Sequence, residues 1–485
     1  MSSSLQDDLV HASHRLYSTL PAHGKPVIRS NGTPEWSILA TTCIVVPSTT
    51  ETSGNSHRIV PVSLGTGVKC LPYSKLSEYG DTLHDCHAEI LARRGFIRWL
   101  IWQAGLYNKF TKGEIAKEEE SFLDRINGKF RLKDGITTWL YTSMLPCGDA
   151  STLYTSAHQS AEEALQWSET DLVATATPPS DNTGVSRGRS GYTSTSTLRT
   201  KPGRPDSMPS ISMSCSDKIA SWSVLGIQGG LLANLFEPIY LKGIVVGGVD
   251  TPEAKDDLEW KAHIKNEMER SIWGRLQTIQ DSLPYPYILN RPSIHVSSVP
   301  FQHSKTSIVS NSWDNALEPA PSPLSISHLP FIPPPNPKKG IKPEIIADGG
   351  ILGNPWKKGV LMKEKGRSRI CKFAILQAYE KLLNEIKEYY EEEPIKNAQS
   401  YHEYKHHPGS AYQKAKEILR GTPKRGYTMK GLEMYDNLLS TGIVENTSLD
   451  KPVDSGIPLP PLKGWLVSGK NFESFTSFGR IIQEG

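Results

Sequence analysis

Residues 85–109 read DCHAEILARRGFIRWLIWQAGLYNK, and the fold prediction depends on this segment. After the first three positions its apolar residues recur at helical spacing, and this pattern predicts one long helix. Ile90, Ile97 and Ile101 mark one apolar face of that helix, and Arg94 falls within the same face. An arginine in such a position either extends its charged end to solvent or pairs with a buried anion.

Strand and helix patterns alternate on both sides of this segment. Strands are predicted where β-branched and other apolar residues cluster between turn residues, and helices where apolar residues recur every three or four positions. The predicted strands are WSILATTCIVVP (36–47), HRIVPVSLGTGVKC (57–70), ITTWLYTSM (136–144) and IYLKGIVVGGV (239–249), and the predicted helices lie at 10–20, 88–109, 215–236 and 368–390. This alternation predicts an α/β fold with a mixed sheet in a layered core, flanked by helices and followed by a C-terminal helical extension.

Two stretches interrupt the alternation. Residues 175–210 are dense in Ser, Thr, Pro, Gly and Arg, and residues 314–343 are rich in proline. Such compositions predict long loop insertions at the surface. No internal repeat is present in the sequence. We therefore expect residues 1–485 to form a single domain that carries these two insertions.

The composition is that of a globular protein with a slight positive charge. The 485 residues include 54 Lys and Arg against 51 Asp and Glu, a net charge of +3 that points only weakly to a nucleic-acid partner. No apolar run is long enough to cross a membrane, and MSSSLQDDLVHASHRLY at the N-terminus lacks the apolar region of a secretory signal. Six cysteines are too few for a disulfide scaffold in a chain of this length. We expect an intracellular protein, in the nucleus or the cytoplasm, without a membrane partner.

Three short motifs contain the residue types of a catalytic zinc site. DCHAEI contains His87 and Glu89, LPCGDA contains Cys147, and MSCSDK contains Cys215. One imidazole and two thiolates leave a fourth zinc position open for water, as in catalytic sites. Zinc lowers the pKa of such a water to about 7. A carboxylate that is not a ligand, here Glu89, then moves the proton to the leaving amine.

Spacing alone leaves two interpretations of these residues open. The deaminase signature, H-x-E followed by P-C-x-x-C, has a second cysteine three residues after the first. Ala150 stands at that place here, and the candidate replacement, Cys215, lies 68 residues after Cys147. The spacing is compatible with a zinc site and equally with unrelated residues, a surface His and Glu together with buried turn cysteines.

The combination of motifs resembles a known family. HAEILARR, PCGDAS, SCSDKIASW and VLGIQGGLLANLFEPIYL, in this order, are similar to the adenosine deaminase domain that the RNA-editing deaminases (the ADAR family) share with the tRNA adenosine deaminases. The similarity extends from GTGVKC at 65–70 to the C-terminal tryptophan region. It implies a cytidine-deaminase-like core, zinc held by His87, Cys147 and Cys215, and Glu89 as the proton carrier. The implied reaction is hydrolytic deamination of adenosine to inosine and ammonia, for which the target base leaves its stack.

The same resemblance implies a second ligand, because members of the family bury an inositol hexakisphosphate in the domain core. A polyphosphate would neutralise basic side chains that are otherwise costly to bury. Three positions depart from the family pattern, since Ser221 replaces an arginine, Gly230 a serine and His84 an asparagine. The residues that match family ligands are Arg93, Arg94, Lys218, Trp222, Gln228, Lys372, Tyr401, Lys405, Tyr412, Lys416, Trp465 and Lys470.

The resemblance also indicates which RNA is the substrate. The residues before GTGVKC read as a helix and a strand of the domain itself, so no double-stranded-RNA-binding module is expected among them. LRTKPGRPDSM lacks the glutamate that the editing enzymes wedge into a duplex, and tRNA loops already splay their bases. We therefore expect the tRNA branch of the family, with the adenosine immediately 3′ of the anticodon of alanine tRNA as the target and no DNA partner.

Basic residues around the first insertion are candidate phosphate contacts. Most lie in SRGRSGY and LRTKPGR, and a basic loop with no ligand is an equally good interpretation. The candidates are Lys69, Arg187, Arg189, Arg199, Lys201 and Arg204.

Three other functions are compatible with the sequence. One is an editor of structured or messenger RNA, and another is a free-nucleoside deaminase, which would have no need of basic loops. A catalytically silent RNA-binding protein is the third, but such a protein need not keep His87, Glu89, Cys147 and Cys215 together. The intact set therefore favours an enzyme.

Overall fold

A computed structural model of the protein describes most of the chain. Of the predicted features, Arg204 and parts of both insertions lie outside the described residues. The described residues are 4–47, 57–115, 121–159, 162, 165, 185–189, 194–201, 207, 208, 210–253, 255–310, 317–333, 340–354, 356–386, 398–407, 409–421 and 459–482.

An eight-stranded sheet forms the centre of the protein. Its strands, in spatial order, are β12 (Ser293–Val296), β11 (Leu241–Val246), β8 (Thr137–Thr142), β2 (Leu39–Pro47), β3 (His57–Thr66), β14 (Ser325–His328), β15 (Glu344–Ala347) and β16 (Gly350–Ile351). The pairs β12–β11 and β11–β8 are parallel, whereas β2 runs antiparallel to both β8 and β3. This mixed pairing confirms the predicted α/β fold.

Shorter strand pairs and ten helices surround this sheet within the described ranges. The pairs are β1 (Glu35–Trp36) with β13 (Ala320–Pro321), β4 (Val68–Cys70) with β5 (Asp85–His87), β6 (Leu123–Ile126) with β7 (Lys129–Leu132), and β9 (Val185–Arg187) with β10 (Leu198–Thr200). The helices are α1 (Leu5–Ser18), α2 (Ala88–Thr111), α3 (Thr152–His158), α4 (Cys215–Leu225), α5 (Gly229–Leu232), α6 (Asp257–Ile272), α7 (Lys305–Ser310), α8 (Lys372–Glu385), α9 (Tyr401–Lys405) and α10 (Ala411–Arg420). No helix among the described residues is long and apolar enough to span a bilayer.

Helices α1 and α2 cover opposite faces of the central sheet. Alternate side chains of a strand point to opposite faces, so Cys43 and Val45 of β2 pack in the cluster that contains α1. Ile44 lies between them and packs in the cluster that contains α2. The sheet is therefore buried on both sides, which explains why β2 reads as an almost continuous apolar run.

Two glycines let α2 approach β3 closely. A Cβ atom at Gly65 of β3 would lie 2.5 Å from the carbonyl oxygen of Ala88, and one at Gly95 of α2 would lie 2.7 Å from Cβ of Ser63. Any side chain at either position would push the helix away from the sheet. This close contact fixes the beginning of α2, where the predicted site residues lie.

The proline-rich insertion contains a strand of the central sheet. Within residues 314–343, β14 pairs with β3 on one side and β15 on the other. Its four residues, Ser325–His328, are buried, so the prediction of a surface loop is wrong for this part. The sequence SISH has little apolar character, and only pairing with strands distant in the chain defines it as a strand.

The predicted helix at 215–236 is divided in two. Helix α4 ends at Leu225, because its C-cap, Gly226, has a φ of 73° that does not continue a helix. Helix α5 begins at Gly229, so residues 226–228 separate the two helices. The interruption turns Gln228 inward, where its side chain accepts the N–H of Ile239 at 3.0 Å.

Candidate active site

His87 and Glu89 lie where β5 meets α2. His87 is the last residue of β5 and the N-cap of α2, and Glu89 lies in the first turn of that helix. Strand β5 pairs with β4, in which Val68 opposes His87. Glu89 is only 1% exposed. The junction between strand and helix therefore places an imidazole next to a buried carboxyl group.

Cys147 and Cys215 meet at the start of α4. Cys215 is the first residue of this helix, and its N–H donates to Sγ of Cys147 at 3.4 Å. Ser214 is the N-cap, and its hydroxyl accepts the N–H of Asp217 at 3.1 Å. Gly148 lets the loop after β8 approach α4, because a Cβ atom there would lie 2.2 Å from Oγ of Ser214. The two cysteines thus meet through a close backbone approach and a helix N-terminus.

The three predicted ligand atoms converge. Nδ1 of His87 lies 3.8 Å from Sγ of Cys147 and 3.6 Å from Sγ of Cys215, and all three atoms lie within 4.8 Å of one another. A hydrogen bond from the Cys215 thiol, helped by Lys201 and His87 and opposed by burial, holds the pKa of Cys147 well below its ordinary value. One imidazole nitrogen and two sulfur atoms in this arrangement can hold a metal ion and leave a fourth position for water.

The Glu89 carboxyl is placed to exchange a proton in this site. Its Oε2 is buried and makes no hydrogen bond with the described residues. Burial raises the pKa of Glu89, with Cys147 adding to the effect and His87 opposing it. A raised pKa suits a carboxyl group that must both accept and release a proton near neutral pH.

Asp85, two residues before His87, forms ion pairs with two lysines. Nζ of Lys201 donates to the carboxylate oxygens of Asp85 at 2.8 and 2.7 Å and to Sγ of Cys215 at 3.1 Å. Lys218 also donates to Asp85, whose Oδ1 accepts the N–H of His87 at 3.1 Å. Burial opposes ionisation, but Lys201, Lys218 and His87 together hold the pKa of Asp85 well below its ordinary value. Asp85, which the sequence motifs do not single out, is therefore an anion that orients His87.

Two of the predicted phosphate contacts are enclosed by the protein. Lys201 is 2% exposed, and the fully buried Arg199 donates from Nη2 to the carbonyl oxygen of Ser194 at 3.0 Å. Neither side chain faces solvent, which disfavours the predicted contact of these two residues with RNA phosphates. Composition could not indicate this, because the partner of Lys201, Asp85, lies 116 residues away in the chain.

The other candidate phosphate contacts are placed differently. Lys69 is exposed, and Arg187 and Arg189 are half-buried. Arg204 lies outside the described residues. Contact of these residues with RNA stays a prediction.

Two buried aspartates anchor segment 194–201 beside the site. Each lies two residues after a ligand cysteine, and each accepts a backbone N–H of this segment, Asp149 at 2.8 Å and Asp217 at 2.9 Å. Each also pairs with an arginine, since Arg270 lies 2.9 Å from Asp149 and Arg275 lies 2.7 Å from Asp217. The segment is therefore held against the two loops that carry the cysteines.

A basic cavity of about 720 Å³ adjoins this site. All twelve residues that the family resemblance assigns to a polyphosphate line it, from α2, α4, the N-cap of α5, α8, α9, α10 and the C-terminal segment 459–482. Asp85 and Lys218 line it as well, so consecutive hydrogen bonds through Lys218, Asp85 and Lys201 connect the cavity to Cys215. The structure thus brings the twelve residues together, whereas ligand binding stays a prediction.

Glu473 is an acidic residue of this cavity that the sequence patterns do not reveal. Its Oε1 accepts hydrogen bonds from Lys372 at 3.0 Å and from Lys405 at 2.5 Å, and its Oε2 lies 3.0 Å from Nε2 of His406. Burial opposes ionisation, but Lys372, Lys405, His402 and His406 hold the pKa of Glu473 well below its ordinary value. Atoms of Glu473 and the two histidines lie within 4.8 Å of one another, yet two ammonium groups on the same carboxylate disfavour a metal ion there.

Two departures from the family pattern have a structural explanation. A Cβ atom at Gly230 would lie 2.9 Å from Cε1 of Tyr412, so the tyrosine ring occupies the space of a serine side chain. His84 is half-buried at the cavity wall, where desolvation, then Lys372 and Arg94, hold its pKa well below the ordinary value. A neutral imidazole still donates one N–H, as the amide of an asparagine does.

Comparison with known proteins identifies the family. The adenosine-deaminase (editase) domain matches residues 63–429, about three quarters of the chain and the part that contains His87, Glu89, Cys147 and Cys215. The chain belongs to this family. The match confirms the family that the four sequence motifs predict.

Several curated members of the family are similar to this chain. It is 37% identical over 232 residues to tRNA-specific adenosine deaminase 1 of Schizosaccharomyces pombe, covering 47% of this chain and 54% of that protein. It is 34% identical over 271 residues to the protein of that name from Saccharomyces cerevisiae, covering 56% and 62%. It is 31% identical over 316 residues to the double-stranded RNA-specific adenosine deaminase of Mus musculus, covering 64% and 25%. The chain thus spans between 25% and 62% of the length of these relatives.

Proposed function

We propose that this protein is a hydrolytic deaminase that converts adenosine to inosine in tRNA. The observation that carries the proposal is the convergence of one nitrogen of His87 and the sulfur atoms of Cys147 and Cys215 beside the buried Glu89. Membership of the adenosine-deaminase family supports the reaction. Relatives that are named tRNA-specific adenosine deaminases support the substrate class.

Zinc is the proposed metal, held by His87, Cys147 and Cys215. Imidazole nitrogen and thiolate sulfur are the ligands that zinc prefers, and three protein ligands with an open fourth position are typical of its catalytic sites. When bound, zinc supplies a Lewis acid that lowers the pKa of a water molecule in the fourth position.

The side chains around the ligands carry out the proton transfers and hold the charges. Glu89 takes the proton of the attacking water and delivers it to the amino group of adenine. The water oxygen bonds to C6, the bond from C6 to the amino nitrogen breaks, and ammonia leaves. The Asp85 carboxylate accepts the backbone N–H of His87 and so orients this residue, and Lys201 stabilises negative charge on Cys215.

The proposed target is the adenosine immediately 3′ of the anticodon of alanine tRNA. Residues 198–208, LRTKPGRPDSM, contain no glutamate that could enter a duplex beside a displaced base. A base in a tRNA loop is already unpaired, so it can enter the pocket at a smaller cost in unstacking. We place this activity inside the cell, in the nucleus or the cytoplasm, and imaging of a fluorescent fusion tests that location.

Deamination of an RNA panel tests the proposal. Purified protein is incubated with alanine tRNA, other tRNAs and a duplex RNA, and inosine is mapped by position. We expect inosine in alanine tRNA alone, its loss in Glu89→Gln, and its retention in the control Glu259→Gln, which changes an exposed carboxylate of α6. Inosine in the duplex but not in tRNA would instead identify an RNA editor. Metal-loaded protein that binds tRNA and forms no inosine would identify a catalytically silent RNA-binding protein.

We also propose that the basic cavity binds inositol hexakisphosphate. Burial, followed by Lys405 and Arg420, lowers the pKa of Lys416 to about 7, and burial lowers the pKa of Arg93 to about 10. Depressed values of this kind show that the protein alone does not compensate these positive charges. A polyanion would compensate them, and a cavity of about 720 Å³ is large enough to enclose a small ligand.

A further inference from the structure

Arg420, the last residue of α10, points into the basic cavity. Its guanidinium lies over the ring of Trp465, 3.7 Å from the ring centroid. Its Nη2 donates to Oγ of Ser221 at 2.5 Å. The side chain is therefore held in one orientation by a tryptophan of the C-terminal segment and a serine of α4.

No carboxylate among the described residues neutralises Arg420. Its Nε is buried and lacks a hydrogen-bond partner within the described part of the chain. Burial lowers the pKa of Arg420 to about 10, Arg93 adds to this effect, and Tyr412 opposes it. A partly buried guanidinium with one buried, unused donor and a cationic neighbour is costly unless an anion completes its surroundings.

The basic residues of the cavity differ in charge compensation. Lys372 and Lys405 pair with Glu473. Arg420 and Arg93 also line the cavity, but neither has a carboxylate partner among the residues that the structure describes. The uncompensated positive charge of these two arginines favours the binding of a phosphate group beside them.

We propose that Arg420 is an anion-binding residue of this cavity and contacts a phosphate group of the bound polyphosphate. The inference rests on the polyphosphate site proposed above. A guanidinium offers two parallel donors that match phosphate oxygens, and stacking on Trp465 orients it in advance. Position 221 is the serine that departs from the arginine of the family, and Arg420 brings a guanidinium to the hydroxyl of this serine from another helix.

Calorimetric titration with inositol hexakisphosphate tests this role. The full chain is produced in a host that makes no inositol polyphosphates, and its folding is checked by thermal unfolding. We expect Arg420→Leu to bind about ten- to hundredfold more weakly than the wild type, the loss of a charge-assisted hydrogen bond. Arg420→Lys should keep part of the affinity, because it keeps the charge.

A double variant that moves the arginine to position 221, together with a matched control, distinguishes a role of Arg420 in ligand binding from a role in packing. In the double variant Ser221→Arg, Arg420→Leu, the new arginine starts from the position that Arg420 contacts, so we expect recovered affinity. The control is Arg291→Leu, since Arg291 also lies over a tryptophan, Trp273, at 5.3 Å, but outside the cavity. This control should bind like the wild type.

The outcomes distinguish this inference from the polyphosphate site itself. A wild type that binds no inositol hexakisphosphate overturns the site and Arg420 with it. A wild type that binds, together with an Arg420→Leu variant of equal affinity, overturns the role of Arg420 alone. Equal weakening in Arg420→Leu, Arg420→Lys and the double variant would show that Arg420 acts through packing, which also overturns the inference.

Discussion

Nζ of Lys201 lies 3.1 Å from Sγ of Cys215 and donates a hydrogen bond to it. The lysine is enclosed by the protein, and the same Nζ is paired with Asp85 at 2.7 Å. Burial opposes protonation, but Asp85 and the sulfur of Cys215 raise the pKa of Lys201 well above its ordinary value. A permanent cation therefore stands beside one of the proposed metal ligands.

Removal of this cation should weaken the metal site. In Lys201→Met the Cys215 thiolate loses a hydrogen-bond donor. Mutation of a residue that hydrogen-bonds to a metal ligand typically lowers metal affinity or activity by about 10- to 100-fold. Zinc affinity and the rate of inosine formation measure the effect. Lys242→Met removes a lysine that is exposed on β11 and has no assigned role in binding or catalysis, so it serves as the control. Equal zinc affinity and equal rates in the two variants would contradict the role assigned to Lys201.

Loss of the distant cysteine should remove the metal. Cys215→Ala leaves one nitrogen and one sulfur ligand, which is too few for a zinc site with an open position. We expect the zinc content per chain, measured by mass spectrometry of the metal, to fall close to zero. Cys43→Ala removes another buried cysteine and should leave the zinc content unchanged, because Cys43 packs in the cluster that contains α1 and not in the one that contains Cys215. Wild-type zinc content in Cys215→Ala would remove this residue from the ligand set.

Polyphosphate binding should weaken as the pH rises. Without ligand the Lys416 amine has a pKa of about 7, below its ordinary 10.5. A bound polyanion favours the ammonium form and raises this pKa, so above pH 7 the complex holds a proton that the free protein lacks. The affinity should therefore fall as the pH rises through about 7, with the free protein losing the proton first.

Calorimetry at several pH values checks this dependence. The phosphates of the ligand also titrate, but they contribute equally to binding by any variant. Lys416→Met should bind more weakly at low pH and show a shallower pH dependence than the wild type. Parallel curves for the two proteins would show that Lys416 does not take up the proton.

Two glycines of the same helix should respond in opposite ways to alanine. At Gly95 the new Cβ would lie 2.7 Å from Cβ of Ser63, whereas at Gly105 its nearest contact would be Oε2 of Glu385 at 3.7 Å. We expect Gly95→Ala to lower the free energy of unfolding by about 1–3 kcal/mol through overpacking. Gly105→Ala should raise it by about 0.5–1 kcal/mol, because alanine favours a helix. Urea denaturation measures both, and a similar effect of the two changes would contradict the close approach of α2 to β3.

Local sequence patterns are enough to predict the main elements and the residue types of the site. Local periodicity predicts α1, α2, α8 and the strands β2, β3, β8 and β11, because burial of one helix stripe or of a strand leaves a regular apolar pattern. The types of His87, Glu89, Cys147 and Cys215, read with the neighbouring motifs, indicated both the family and the reaction. These features depend on short stretches of chain, so they can be read without coordinates.

Contacts between residues that are distant in the chain become visible only in the folded protein. Cys147 and Cys215 are 68 residues apart, and spacing left open whether they share a site until the N-terminus of α4 brought them together. The structure also turned Lys201 inward to Asp85, and it placed Arg420 beside Ser221, 199 residues away in the chain. Such contacts cannot be predicted from local composition, because the charge state of a buried side chain depends on its partners in space.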